Sequence, residues 1–340
     1  MKFKIEIKKH IKLIINISVL IISIVILLRT INFSVVFNEL ATISPYIYIL
    51  TLSLAIYRNW LCSLRWAALH PVSNERLSKW IYFKLTMLSH LFNLIMPGAL
   101  GGDVIKTIYA VGEREKNRMN DVIAVFVDRT IGLLSIMFFG LVSMLFIHKK
   151  LNINWFQLLL LFFLSGGFIV FIVNKKVLNF LEKILSSIPI VKKATKTIFS
   201  SWRNALVFYK MNPKKVLYSL ALCIPINIIS FLTYFIFSLY LGLSINFLNI
   251  IFSISIMWLI TALPISLGGV GVRELSLIWL LGMFGVSSEQ AVTLSLLVYI
   301  NTIIIAIIAL PFLLDVRHKK QIANLSIDNK IADSNVDNTF

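Results

Sequence analysis

Apolar runs about as long as a membrane is thick alternate with short polar stretches along most of this chain. A helix needs about 20 mainly apolar residues to cross a bilayer. The runs Ile11–Ile31, Pro45–Leu64, Val122–Phe146, Trp155–Val173, Val216–Leu241 and Ala291–Leu314 meet that length. Two further runs, Trp80–Met96 and Leu248–Leu263, stop at related decapeptides: PGALGGDVIK (Pro97–Lys106) and PISLGGVGVR (Pro264–Arg273). Each is followed by a second apolar piece, Val104–Val111 and Leu275–Val286. Both copies keep the proline, a leucine, the Gly-Gly pair and a terminal cation. The pattern predicts two helices broken by the same kind of turn.

The basic residues orient these elements, because Lys and Arg collect in cytoplasmic loops. The Lys-rich N-terminus, the connector 174–215 with ten Lys/Arg and the single acid Glu182, and the RHKK segment after the last run all belong inside. Loop 32–44 has no Lys or Arg and belongs outside. Arg76 and Lys79 before the first broken helix, and Arg114, Lys116 and Arg118 after it, both want the cytoplasm. Residues 80–112 therefore read as a hairpin entering and leaving from inside. The second broken helix, 248–286, reads as a hairpin entering and leaving from outside. Lys149 and Lys150 fall outside in this scheme, against the rule. The expected fold is an all-α integral membrane protein of about eight helices or hairpin elements. It forms two inverted repeats, 10–146 and 155–316, within a membrane domain 1–321, followed by a disordered cytoplasmic tail 322–340. Inverted repeats with discontinuous helices are a transporter architecture, and irregular backbone at membrane depth is tolerated only when protein or a water-filled cavity covers it.

Composition agrees. Of 340 residues, 58% are hydrophobic and 14% charged, against about 25% charged in soluble domains. The net charge of +18 lies between apolar runs, as juxtamembrane charge does, and implies no nucleic acid. Cys62 and Cys223 sit inside apolar runs and imply neither a disulfide framework nor a metal. The first run is too long for a signal peptide and reads as an uncleaved span. The connector alternates apolar residues and lysines at helical spacing, which suits a helix on anionic lipid or a solvated link.

Candidate chemistry centres on the two turns. The helices that start there, near Asp103 and Gly271, would aim unpaired N–H groups into the membrane, a setting that attracts anions; Lys106 and Arg273 add charge one turn on. Asp103 could equally cap its own helix. Thr86, His90, Asn93 and Pro97 share one helix face, making His90 and Asn93 cavity-lining candidates. Asp128 and Arg129 lie inside an apolar run, where charge must be paired or functional; Lys106 is the expected partner of Asp128, and Asp103 or Glu274 that of Arg129. Arg58 and Arg65 are read as cytoplasmic-end markers that extend to headgroups. No nucleotide loop, metal spacing or serine elbow is present, so no enzyme activity and no cofactor are expected.

The blocks NLIMPGALGGDVIKTIYA, VFVDRTIGLLSI and LPISLGGVGVREL resemble the flippase-like membrane region of lysylphosphatidylglycerol synthases, over about residues 10–316. The resemblance implies an eight-helix domain that moves or accommodates lipids, without the aminoacyl-transfer domain of the two-domain enzymes. The positions it singles out as candidate headgroup-binding residues are Pro97, Gly101, Gly102, Asp103, Lys106, Asp128, Arg129, Pro264, Gly268, Gly269, Arg273 and Glu274. Where the family pattern often has a further Arg, this chain has Tyr299, a third cavity-lining candidate. The implied role is a lipid flippase of the inner membrane with both termini cytoplasmic. It would handle an anionic phospholipid or a polyprenyl-phosphate-linked glycolipid, alongside envelope-biosynthesis proteins. The alternatives are an accessory protein or enzyme of envelope lipid and polysaccharide synthesis, or a scaffold.

Overall fold

The computed structural model describes residues 18, 23, 25–70, 77–95, 101–112, 118–147, 182, 192–262 and 268–336. The expected span Trp155–Val173, most of Ile11–Ile31, Lys149, Lys150 and the turn residues Pro97 and Pro264 lie outside them. Among the described residues all regular structure is helical: α1 (Phe33–Ala41), α2 (Pro45–Ala68), α3 (Lys79–Ile95), α4 (Gly101–Gly112), α5 (Arg118–Ile147), α6 (Lys192–Met211), α7 (Pro213–Tyr240), α8 (Phe247–Thr261), α9 (Val272–Gly282) and α10 (Ser288–Val336). Residues 25–30 are also helical. Among the described residues, four helices are long and apolar enough to cross a membrane: α2, α5 from Met119, α7, and α10 as far as Leu313. This is an integral membrane protein.

Local chemistry sets the element ends. Pro45 and Pro213 open α2 and α7, where a missing N–H costs nothing and φ is already helical. Helix α1 lies in the loop where sequence gave no element. Asn32 caps it by accepting from the Ser34 N–H at 3.2 Å, and Val36 is fully buried beneath it. Nine residues are too short to show a membrane pattern, so its signal was only the cap. The last helix includes residues 322–336, which composition reads as a disordered tail.

The two predicted breaks are real. Helix α3 ends at Ile95 and α4 begins at Gly101; α8 ends at Thr261 and α9 begins at Val272. In each pair the two arms pack on one another. At about 1.5 Å per residue, α4 and α9 reach roughly 18 and 16 Å, well short of the ~30 Å hydrocarbon core.

Among the described residues, two apolar clusters are the largest. One gathers α2, α3, α4, the start of α5 and the middle of α10 around Ile305 and Ala309, with Trp66, Tyr82 and Leu88 buried in it. The other gathers α7, α8, α9 and the far end of α5, with Phe231, Phe237 and Leu277 buried. Helices α2 and α7 run antiparallel between them. The Tyr48 and Phe237 rings meet at 5.8 Å, and Arg58 reaches Ser230. Further along, Arg65 reaches Cys223. Burial alone does not drive helix association in lipid; close backbone approach at small residues helps. Gly140 of α5 is such a point, since a Cβ there would lie 3.0 Å from Ser255 Cβ of α8. Leu217, Leu220 and Ile224 of α7 remain exposed, as a lipid-facing stripe should.

Candidate functional site

The two broken helices meet. Gly268, in the second turn with φ +59°, is so close to the end of α3 that a Cβ there would lie 3.3 Å from the Asn93 carbonyl oxygen and 3.4 Å from that of Leu94. The positive φ and the tight approach both favour glycine. Beside this contact is a cavity of about 230 Å³. Arg58 of α2, His90 and Asn93 of α3, Gly268, Gly269 and Arg273 line it, with Asn301 of α10 opposite. No carboxylate lines it among the described residues.

Each turn solves the problem of its free N–H groups differently. At the first, the Asn93 side chain reaches across the break and accepts from the Gly102 N–H at 2.7 Å. Asp103 is not the cap that sequence allowed. The helix already starts at Gly101, so Asp103 falls in the first turn and its carboxylate instead takes Arg129 of α5. At the second, Gly271 caps α9 with φ +82°. Glu274 reaches back to accept from its N–H at 2.7 Å, the carboxylate half of a capping box. The same carboxylate pairs with Arg273 and accepts from Ser295 of α10 at 2.8 Å. The Arg273 guanidinium also lies 4.3 Å from the centre of the Tyr299 ring.

The charged pairs correct two expectations. Asp128 pairs with Arg65 at 2.8 Å, both side chains buried, and not with Lys106. Arg65 is therefore no headgroup-reaching marker: it is 7% exposed, Gly132 gives its guanidinium room, and Cys223 Sγ is 3.4 Å from its Nη1. Lys106 is buried and sits over the Trp66 ring at 5.4 Å. Of the two partners considered for Arg129, it takes Asp103; Glu274 is held by Arg273. A further buried contact joins His70 at the end of α2 to Asp121 of α5, 2.7 Å apart. The connector helix α6 docks here too. Trp202 packs on Phe126, and the Tyr209 hydroxyl donates to the Leu69 carbonyl at 2.7 Å. Burial, then the nearby Asp128 charge, pushes the Tyr209 phenol well above its ordinary pKa, so it remains a donor.

Thus, of the candidate residues, His90, Asn93, Gly268, Gly269 and Arg273 come together around one cavity. Gly101, Gly102, Asp103, Lys106, Asp128, Arg129 and Glu274 do not line it, and Tyr299 backs Arg273 without being a lining residue. Sequence reasoning missed Arg58 and Asn301. Both carried a signal, being polar groups inside apolar runs. Arg58 has no carboxylate partner among the described residues, and its Nε is buried with no hydrogen bond. No cluster of His, Cys, Asp and Glu among the described residues could hold a metal.

Comparison with known proteins agrees with the residues. The family model of the lysylphosphatidylglycerol synthase TM region matches residues 13–309. No individual curated protein matches the chain. The chain belongs to that family, as a membrane region matched over most of its length.

Proposed function

We propose that this member of the family is a lipid translocase of the cytoplasmic membrane. It holds the phosphate-bearing headgroup of an anionic phospholipid or polyprenyl-phosphate-linked lipid between its two broken helices and passes it across without changing a covalent bond. The observation that carries this reading is the cavity at the meeting point of the two turns, lined by Arg58 and Arg273 and by no acid among the described residues. Irregular backbone at membrane depth belongs beside such a cavity, and a guanidinium there suits a phosphate because its planar fork matches two oxygens.

The packing of the helices supports an inverted repeat. Exchange α2 with α7, α3 with α8, α4 with α9 and α5 with α10. The observed pairs α3·α10, α4·α5, α2·α3 and α5·α7 then become α8·α5, α9·α10, α7·α8 and α10·α2, all of which are also packed pairs. The antiparallel α2·α7 contact maps onto itself and would be the axis. Rocking of one half against the other about that axis would expose the cavity to each side in turn. The short arms α4 and α9 favour hairpins that return to the side they entered from. Both termini then lie in the cytoplasm.

Proteoliposomes with a headgroup-labelled phospholipid in the inner leaflet test the function. Transport predicts protein-dependent appearance of the label outside with the lipid mass unchanged. A changed mass would support an enzyme instead, and no movement of any phosphate-bearing lipid would remove the translocase reading. Topology is tested with single cysteines at Glu113 and Gly285 in a background lacking Cys62 and Cys223. The two are expected to label from opposite faces; labelling from one face would end the inverted repeat.

A further inference from the structure

The hydrogen-bonding capacity of the cavity is lopsided. Ser230, Thr233, Thr261 and Thr302 line it, and each hydroxyl donates its proton to a carbonyl four residues back on its own helix. A hydroxyl has one donor and two lone pairs, so these side chains offer the cavity acceptors. Asn301 adds another. It is 2% exposed, and its Nδ2 donates to Thr51 Oγ1 at 2.9 Å. The Thr51 proton is committed to the Ile47 carbonyl at 2.9 Å. Thr51 can therefore only accept, which fixes the direction of the Asn301 amide. Asn301 Oδ1 is left buried with no partner. On the donor side stands Arg58, whose Nε has no acceptor and whose other nitrogens make only long bonds, 3.4 Å to Ser230 and 3.3 Å to Asn59.

A site with unspent guanidinium donors and unspent neutral acceptors is complementary to an anion that brings its own donor. We infer that the headgroup held here is a phosphate ester bearing a hydroxyl or ammonium group, with Arg58 on the phosphate oxygens and Asn301 Oδ1 accepting from the headgroup donor. This rests on the proposed function and deepens it, naming Asn301 as the residue that selects among lipids. A bare phosphate leaves Asn301 unsatisfied, and a quaternary ammonium has no N–H to give. The cavity is smaller than the ~300–1,000 Å³ typical of drug-sized ligands, which suits a headgroup of few atoms.

The test is the apparent affinity of the full chain in detergent for phosphatidylglycerol, phosphatidylethanolamine and phosphatidylcholine, read from the lipid-dependent rise in unfolding temperature. The first two should bind about tenfold tighter than the third, the size expected when a buried acceptor gains its donor. Asn301→Leu should bring all three to the level of phosphatidylcholine, whereas Arg58→Gln should weaken all three. Equal binding by the wild type, or a preference that survives Asn301→Leu, overturns the inference. If Asn301→Leu does not fold, the wild-type ranking decides alone. Equal binding with transport intact removes only the donor recognition; absence of both binding and transport removes the translocase reading itself.

Discussion

The two decapeptides share a pattern and differ in how they are held. The first turn borrows its partners from elsewhere: Asn93 takes the Gly102 N–H, Arg129 of α5 takes Asp103, and Lys106 lies on Trp66 of α2. The second is largely self-contained, since Glu274 both satisfies the Gly271 N–H and pairs with Arg273 beside it. The two cations also end in different settings: Arg273, though paired with Glu274, lines the cavity, and Lys106 is buried over the Trp66 ring. Similar sequence at the two ends of an approximate symmetry need not mean similar roles, because the neighbouring helices decide which groups are already spent.

The largest effect expected in this contrast is at the support behind the first turn. Asp128→Asn strands Arg65 in a buried position, a loss of about 3–5 kcal/mol. The yield of folded protein on size exclusion should collapse, and adding Arg65→Gln should recover part of it. A single variant as heat-resistant as the wild type would show that the pair carries no structural weight.

Equivalent glycines come next, and should fail for different reasons. Gly102→Ala would drive a Cβ to 2.5 Å from Ser89 Cβ and 2.7 Å from the Ser89 carbonyl oxygen, an overpacking cost of about 1–3 kcal/mol. Gly269→Ala has room, with Thr261 3.7 Å away, but φ there is +79°, costing roughly 1–2 kcal/mol. Ser89→Gly should therefore relieve only part of the first loss, because the Ser89 carbonyl oxygen remains 2.7 Å away, and no neighbouring truncation should rescue the second. Rescue of neither would refute the steric account of Gly102.

Smaller still is Asp103→Asn. Its pair with Arg129 is about a quarter exposed on each side, so after solvent screening the loss is about 1 kcal/mol or less. Tyr299→Leu should cost about 0.5–1 kcal/mol from the lost ring–guanidinium contact and should weaken lipid transport more than it lowers the unfolding temperature, because Arg273 loses the surface that orients it. Equal proportional losses would argue that Tyr299 is only packing.

The sequence by itself determined the class of protein, four of its long spans and the two interruptions. Those follow from the length of apolar runs and from Pro-Gly chemistry, which act within a few residues. It also marked His90, Asn93 and Arg273 as polar positions that lipid would not tolerate. Which acid meets which cation was decided only by the tertiary structure. Arg58 and Arg65 lie two turns apart on one helix and look alike in the sequence, yet Arg65 closes on Asp128 while Arg58 opens into the cavity. A pairing between helices depends on their relative depth and rotation, which no stretch of one helix encodes. The free oxygen of Asn301 was hidden for the same reason, since it depends on Thr51, 250 residues away, having already spent its proton.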